Sequence, residues 1–136
     1  MPPYRFGSAC SSTSELVLSG VFDAYPDFQV ILGHLGESLP FSLWRIDQAL
    51  SRKENRSARS FRDVFASHFH ITTSGNFSNP ALLCCVQEMG VDRIMFSVDY
   101  PFVQNAPGVE WMDTVPLCNE DREKILNGNV TKLLKL

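Results

Sequence analysis

The feature that most restricts the fold is an alternation: three short apolar runs, each set off from the next by stretches of helical spacing. The runs cover 28–33, 69–74 and 93–97. The first is β-branched at Val30 and Ile31 and closed by Gly33, so it reads as a strand, and the other two follow the same pattern. Runs this short and apolar suit parallel strands covered by helices on both faces.

Helical stripes fill the intervals. Leu18, Val21, Phe22 and Tyr25 recur at spacings of three and four before the first strand. Leu39, Leu43, Ile46 and Leu50 do so after it, with Pro40 in the first turn. Asn79 and Pro80 read as cap and first helical residue of a segment carrying Leu83, Val86 and Met89, which Gly90 stops. Asn119 caps a helix with Glu120 and Asp121 in its acidic first turn. Gly128 closes it, and Asn129 caps a last helix bearing Val130, Leu133 and Leu134. The polar stretch 51–57 reads as a solvated loop. The sum is an α/β unit with a parallel sheet, whose two outer edges stand open to pairing.

Composition limits the partners. A net charge of −3 and a pI near 5.5 argue against nucleic acid and anionic membrane surfaces. No apolar run approaches the ~20 residues that span a bilayer, and the first residues lack a secretory h-region, so a cytoplasmic protein is expected. Cys10, Cys84, Cys85 and Cys118 match no zinc spacing and read as reduced thiols.

In parallel α/β folds, loops at the carboxyl ends of the strands converge on one crevice. Here those ends carry His34 and Glu37 after the first strand, Thr73, Ser74 and Asn76 after the second, and Asp99, Tyr100 and Phe102 after the third. A carboxylate such as Asp99 suits metal ligation and proton transfer, and an imidazole such as His34 suits the handling of a proton. The plainer readings are an Asp that caps a loop and a His satisfied in the core. His68 and His70 share one face of a strand but lie at its start, away from the rim.

Five segments, in order and spacing, resemble a known family. They are Gly33-His34-Leu35-Gly36-Glu37-Ser38-Leu39-Pro40, Trp44-Arg45-Ile46, Ile71-Thr72-Thr73-Ser74-Gly75, Phe96-Ser97-Val98-Asp99-Tyr100-Pro101-Phe102, and Gly128-Asn129. They look like the amidohydrolase-related decarboxylases, which act on aminocarboxymuconate semialdehyde, γ-resorcylate, 2,3-dihydroxybenzoate and uracil-5-carboxylate. The resemblance implies a partial TIM (β/α)8 barrel over residues 1–136. Its three parallel strands would match strands six to eight of a barrel ordinarily about twice this length. It also implies a carboxy-lyase that removes CO2 from an aromatic or conjugated carboxylic acid. A metal-dependent hydrolase, or a non-catalytic remnant packed on a full-length relative, are the alternatives.

By the same resemblance Asp99 is the metal ligand and sits beside the reacting carbon. His34 activates a water or polarises the substrate, and Glu37 reaches back to fix the His34 tautomer. Arg45 grips a substrate carboxylate, in several members that of a neighbouring subunit, as a planar guanidinium can. Asn76 and Phe102 line the substrate pocket. The family metal is Zn2+ or Mn2+, and the small aromatic carboxylate and a homodimer partner follow from the same likeness. The first-strand Glu-x-His or His-x-His pair and the fifth-strand His have no match here. This chain alone is therefore expected to bind metal weakly and to turn over little.

Overall fold

The computed structural model describes residues 8–51 and 59–136, with side chains from Ser11 onward in the first segment. All but Ser51 of the polar stretch 51–57 lies outside the described residues. Three strands form one parallel sheet in the order β1 (Val30–Leu32), β2 (Phe69–Thr72), β3 (Ile94–Met95). The register pairs Val30 with Phe69, Leu32 with Ile71, and Ile71 with Ile94. Residues opposite one another in a parallel ladder share a face, so these five point the same way.

That face is the helix-covered one. Phe69, Ile71 and Ile94 are fully buried, and Phe69 stacks on Phe65 of α4 (Phe61–His68) with ring centroids 4.7 Å apart. Phe22 of α2 (Val21–Ala24) meets Phe69 edge-on at 5.3 Å. Aromatic contacts of this geometry add about 0.5–1.5 kcal/mol each beyond area burial. The other face carries Ile31, His70, Thr72 and Met95. Ile31 is 48% exposed there, whereas His70 and Met95 are buried, so that face is covered along β2 and β3 and open at β1. In a barrel the second face looks into the lumen, which other strands fill.

Several helices depart from the expected bounds. Leu18 to Tyr25 is not one helix: α1 (Ser8–Leu18) ends, and α2 starts after Gly20. Gly20 has φ 80°, a left-handed conformation that glycine adopts without penalty. α3 (Leu39–Ser51) buries Leu39 and Leu43 as expected. α4 is a helix the sequence reading lacked, capped by Ser60, whose hydroxyl accepts the Asp63 N–H at 3.0 Å. α5 (Asn79–Met89) begins one residue early, with Ser78 as cap, and buries Leu82 and Cys85 in place of Leu83. Asn79 is free to accept the Trp111 indole N–H at 2.8 Å. That indole belongs to α6 (Asn105–Thr114), also absent from the sequence reading.

At the end of the chain α7 (Asn119–Glu123) runs through a π turn (Lys124–Gly128) into α8 (Asn129–Leu134). Gly128 and Asn129 are both right-handed helical, so neither stops nor caps anything. The Asn129 amide is buried and donates to the carbonyls of Val91 (2.8 Å) and Ile94 (2.7 Å). Ile94 lies on the outer edge of β3, so the edge expected to be open is covered at that point. No helix among the described residues is long and apolar enough to cross a membrane.

Candidate active site

The three strands deliver polar residues at their carboxyl ends, and the backbone there is strained. Among the described residues six non-glycine positions have positive φ: His34, Leu35, Glu37, Ser74, Asp99 and Lys135. All but Lys135 belong to the turns that follow β1, β2 and β3. Left-handed backbone costs roughly 1–2 kcal/mol per non-glycine residue and persists where surrounding contacts over-determine it.

Those contacts form a chain across the sheet. The His34 Nδ1–H donates to the Ser74 carbonyl at 2.6 Å. A carbonyl oxygen only accepts, so the neutral ring carries its proton on Nδ1 and keeps the lone pair on Nε2. The Ser74 N–H donates to Ser97 Oγ at 3.1 Å, and the two hydroxyls lie 2.8 Å apart. Thr72 Oγ1 is 2.7 Å from Ser74 Oγ. Thr73, fully buried, accepts the Ser97 N–H at 2.9 Å and donates to the Ser97 carbonyl at 2.5 Å. Asn76 donates weakly to the His34 carbonyl at 3.4 Å.

Asp99 stands on the same rim. Gly75, with φ 75°, follows Ser74, and a methyl built on it would lie 3.7 Å from Asp99 Cβ and 2.9 Å from Val103 Cγ2. The approach of these two loops therefore requires glycine. The Asp99 carbonyl accepts the N–H groups of Phe102 (2.9 Å) and Val103 (3.1 Å), which closes a turn after β3. Among the described residues its half-buried carboxylate has no hydrogen-bond partner.

The other expected residues are placed as follows. Glu37 is exposed, and its backbone N–H donates to the His34 carbonyl at 3.0 Å, but among the described residues its carboxylate makes no bond to the imidazole; the Ser74 carbonyl, not Glu37, orients the ring. Arg45 is exposed on α3, and among the described residues it makes no hydrogen bond or ion pair with the rim. Phe102 reaches Asp99 through backbone only, with its ring 74% exposed. His68 is structural: Nδ1 donates to the Phe28 carbonyl at 3.0 Å, and Nε2 faces Arg59 Nη1 at 3.1 Å. Ser97 and Thr72 were not singled out in the sequence. Their signal would have been hydroxyl residues at facing strand ends.

Among the described residues no group of three or more His, Cys, Asp and Glu side chains gathers to hold a metal ion. A catalytic zinc takes about three protein ligands, so the donors present do not make a complete metal site. A cleft of about 490 Å³ opens at the opposite end of the sheet, lined by His70, Gly90, Asp92, Arg93, Asn129 and Lys132 among others.

The amidohydrolase family profile matches residues 6–136. The γ-resorcylate decarboxylase of Rhizobium radiobacter is 43% identical over 126 residues, covering 90% of this chain and 38% of that protein. The γ-resorcylate decarboxylase of Polaromonas sp. is 39% identical over 140 residues, covering 99% of this chain and 43% of that protein. A dihydroxybenzoic acid decarboxylase from Polaromonas sp., solved with bound manganese and the inhibitor 2-nitroresorcinol, superposes with a TM-score of 0.87 at 39% identity, over 94% of this chain and 40% of that one. The chain thus spans about two-fifths of the length of the relatives it matches. Its sheet and helices are part of a TIM barrel, and the chain belongs to the amidohydrolase family.

Proposed function

We propose that the rim of His34, Ser74 and Asp99 is part of the active site of a metal-dependent, non-oxidative decarboxylase acting on a small aromatic carboxylic acid. Such a reaction breaks the bond between ring and carboxylate and leaves its electron pair on the ring carbon. A proton must arrive there as CO2 departs. Asp99 is assigned that transfer, cycling between carboxylic acid and carboxylate. His34 presents a lone pair at Nε2, suited to accept a hydrogen bond or proton from the substrate or its water.

Asp99 is also assigned as one ligand of a divalent metal, Zn2+ or Mn2+, which when bound supplies Lewis-acid polarisation. The remaining ligands are not among the described residues, and every step assigned here belongs to this chain's own side chains. Asn76 and Phe102 would border the ring of the substrate. Arg45, exposed on α3, would serve the site of a second copy in a homodimer.

The observation that carries this reading is the presence, on one rim, of a tautomer-fixed imidazole and a carboxylate that has no hydrogen-bond partner among the described residues. The test is a chimera in which this chain replaces the matching segment of the R. radiobacter decarboxylase. Release of CO2 from γ-resorcylate that is lost in Asp99→Asn supports the reading. A chimera that sediments as a folded species, binds Mn2+ and releases no CO2 overturns it.

A further inference from the structure

We propose that Ser97 is a positioning residue for His34: acting through Ser74, it fixes which imidazole nitrogen carries the proton. The inference rests on the reading that His34 belongs to a site, but its geometry stands on its own.

Ser74 holds φ at 32°, where a side chain is unwelcome. Three contacts hold it: Thr72 Oγ1 lies 2.7 Å from the Ser74 hydroxyl, and the other two end on one atom, for Ser97 Oγ accepts the Ser74 N–H at 3.1 Å and meets the Ser74 hydroxyl at 2.8 Å. Ser97 is itself held by Thr73 on both sides of its peptide, at 2.5 and 2.9 Å. Its hydroxyl is therefore a fixed point. Removing that hydroxyl leaves the Ser74 N–H without its acceptor and the side chain held by Thr72 alone, so Ser74 relaxes toward negative φ and everything beyond its nitrogen turns with it. That includes the carbonyl 2.6 Å from His34 Nδ1. Without this acceptor nothing favours a proton on Nδ1 over one on Nε2.

The relay crosses the sheet from β3 through β2 to β1 in two hydrogen-bonded steps. Ser97 also precedes Asp99 by two residues in the same strand end. One serine thus ties the lone pair on His34 to the segment that carries the rim carboxylate.

The experiment is nitrogen-15 NMR of the imidazoles in the full chain at a pH of about 8, where imidazoles are ordinarily neutral. The His34 signals are assigned by their loss in His34→Gln. The unchanged chain should show His34 with its proton on Nδ1 and a well-separated, lone-pair-bearing Nε2. Ser97→Ala should draw the two nitrogen signals together as the tautomers mix, and Ser97→Thr, which keeps the hydroxyl, should restore their separation. Amide exchange in β2 serves as the control for a merely structural effect and should be unchanged.

Identical His34 signals in Ser97→Ala and the unchanged chain overturn the proposal. So does a Ser97→Thr chain that mixes tautomers as Ser97→Ala does. Should Ser97→Ala not fold, Ser97→Cys, whose sulfur accepts weakly, reads the same mixing at smaller amplitude, and no mixing overturns the proposal. Decarboxylation has no part in this readout. A folded but inactive chimera would sink the functional reading and leave the tautomer result standing.

Discussion

The Phe96 N–H donates to the Ile125 carbonyl at 2.8 Å, a bond between the outer edge of β3 and the π turn that follows α7. In a regular α-helix the Ile125 carbonyl would accept from the Asn129 N–H, four residues on. Here that N–H bonds Lys124 instead, and Ile125 is left free to reach the strand. The extra residue in the turn is what allows a helix to stand where a neighbouring strand would pair. The Asn129 amide completes the substitution at Ile94 and Val91.

Asn129→Leu should accordingly be costly, although asparagine is polar and leucine suits a helix. It strands two carbonyls, and an unsatisfied buried acceptor costs about 1–3 kcal/mol. Loss of about 2–4 kcal/mol in urea unfolding is expected. A variant within about 0.5 kcal/mol of the unchanged chain would mean that the clamp does not hold the edge.

What was legible in the sequence follows from how local each signal is. The strands at 30–32, 69–72 and 94–95 announce themselves by apolar runs, and the rim residues follow because loops after parallel strands converge. α4 was hidden because Phe69 ends the helix and begins β2 with no turn between them. α6 was hidden by Pro107 and Gly108, which read as breakers. Gly108 is there for space: a methyl on it would lie 2.7 Å from the Phe77 ring and 2.8 Å from Val98. The relay behind the rim was out of reach because Ser97 bonds a residue 23 positions away, and Ser74 one 40 away.

Gly75→Ala should disturb the rim more than the core. The added methyl meets Val103 at 2.9 Å while φ stays at 75°, so strain and clash act together. A loss of roughly 1–3 kcal/mol is expected. In NMR spectra the shifts should be largest at Asp99 and Val103 and small at Phe65 and Phe69. Changes confined to the aromatic core would contradict the close approach of the two loops.

The thiols should separate by reactivity. Cys118 is exposed, whereas Cys85 is buried, and burial first and Cys84 second push its thiol up to about 12. Since the thiolate is the nucleophile, alkylation at a pH of about 8 should label Cys118 readily and Cys85 only when the chain unfolds. Peptide mapping of the labelled chain reads this directly. Rapid native labelling of Cys85 would show that α5 opens far more easily than its packing implies.

His70 should impose an acid dependence on stability. It is 7% exposed, with no partner for Nδ1 among the described residues, and burial first and the Arg93 guanidinium second hold its pKa below the ordinary imidazole value. As pH falls through about 6.5, the unfolded chain takes up a proton at this residue and the native chain does not. The unfolded state then binds more protons, so stability declines with acid from about that pH down to the native pKa. The slope is at most about 1.4 kcal/mol per pH unit from this one group. Carboxylates add their own acid dependence, so the diagnostic quantity is the difference between the unchanged chain and His70→Gln. Between pH values of about 7.5 and 5 the variant should lose less stability, and the two curves should converge or cross toward acid. Parallel curves over that window would mean that His70 protonates as readily in the native chain as in the unfolded one, which the buried, cation-facing ring does not permit.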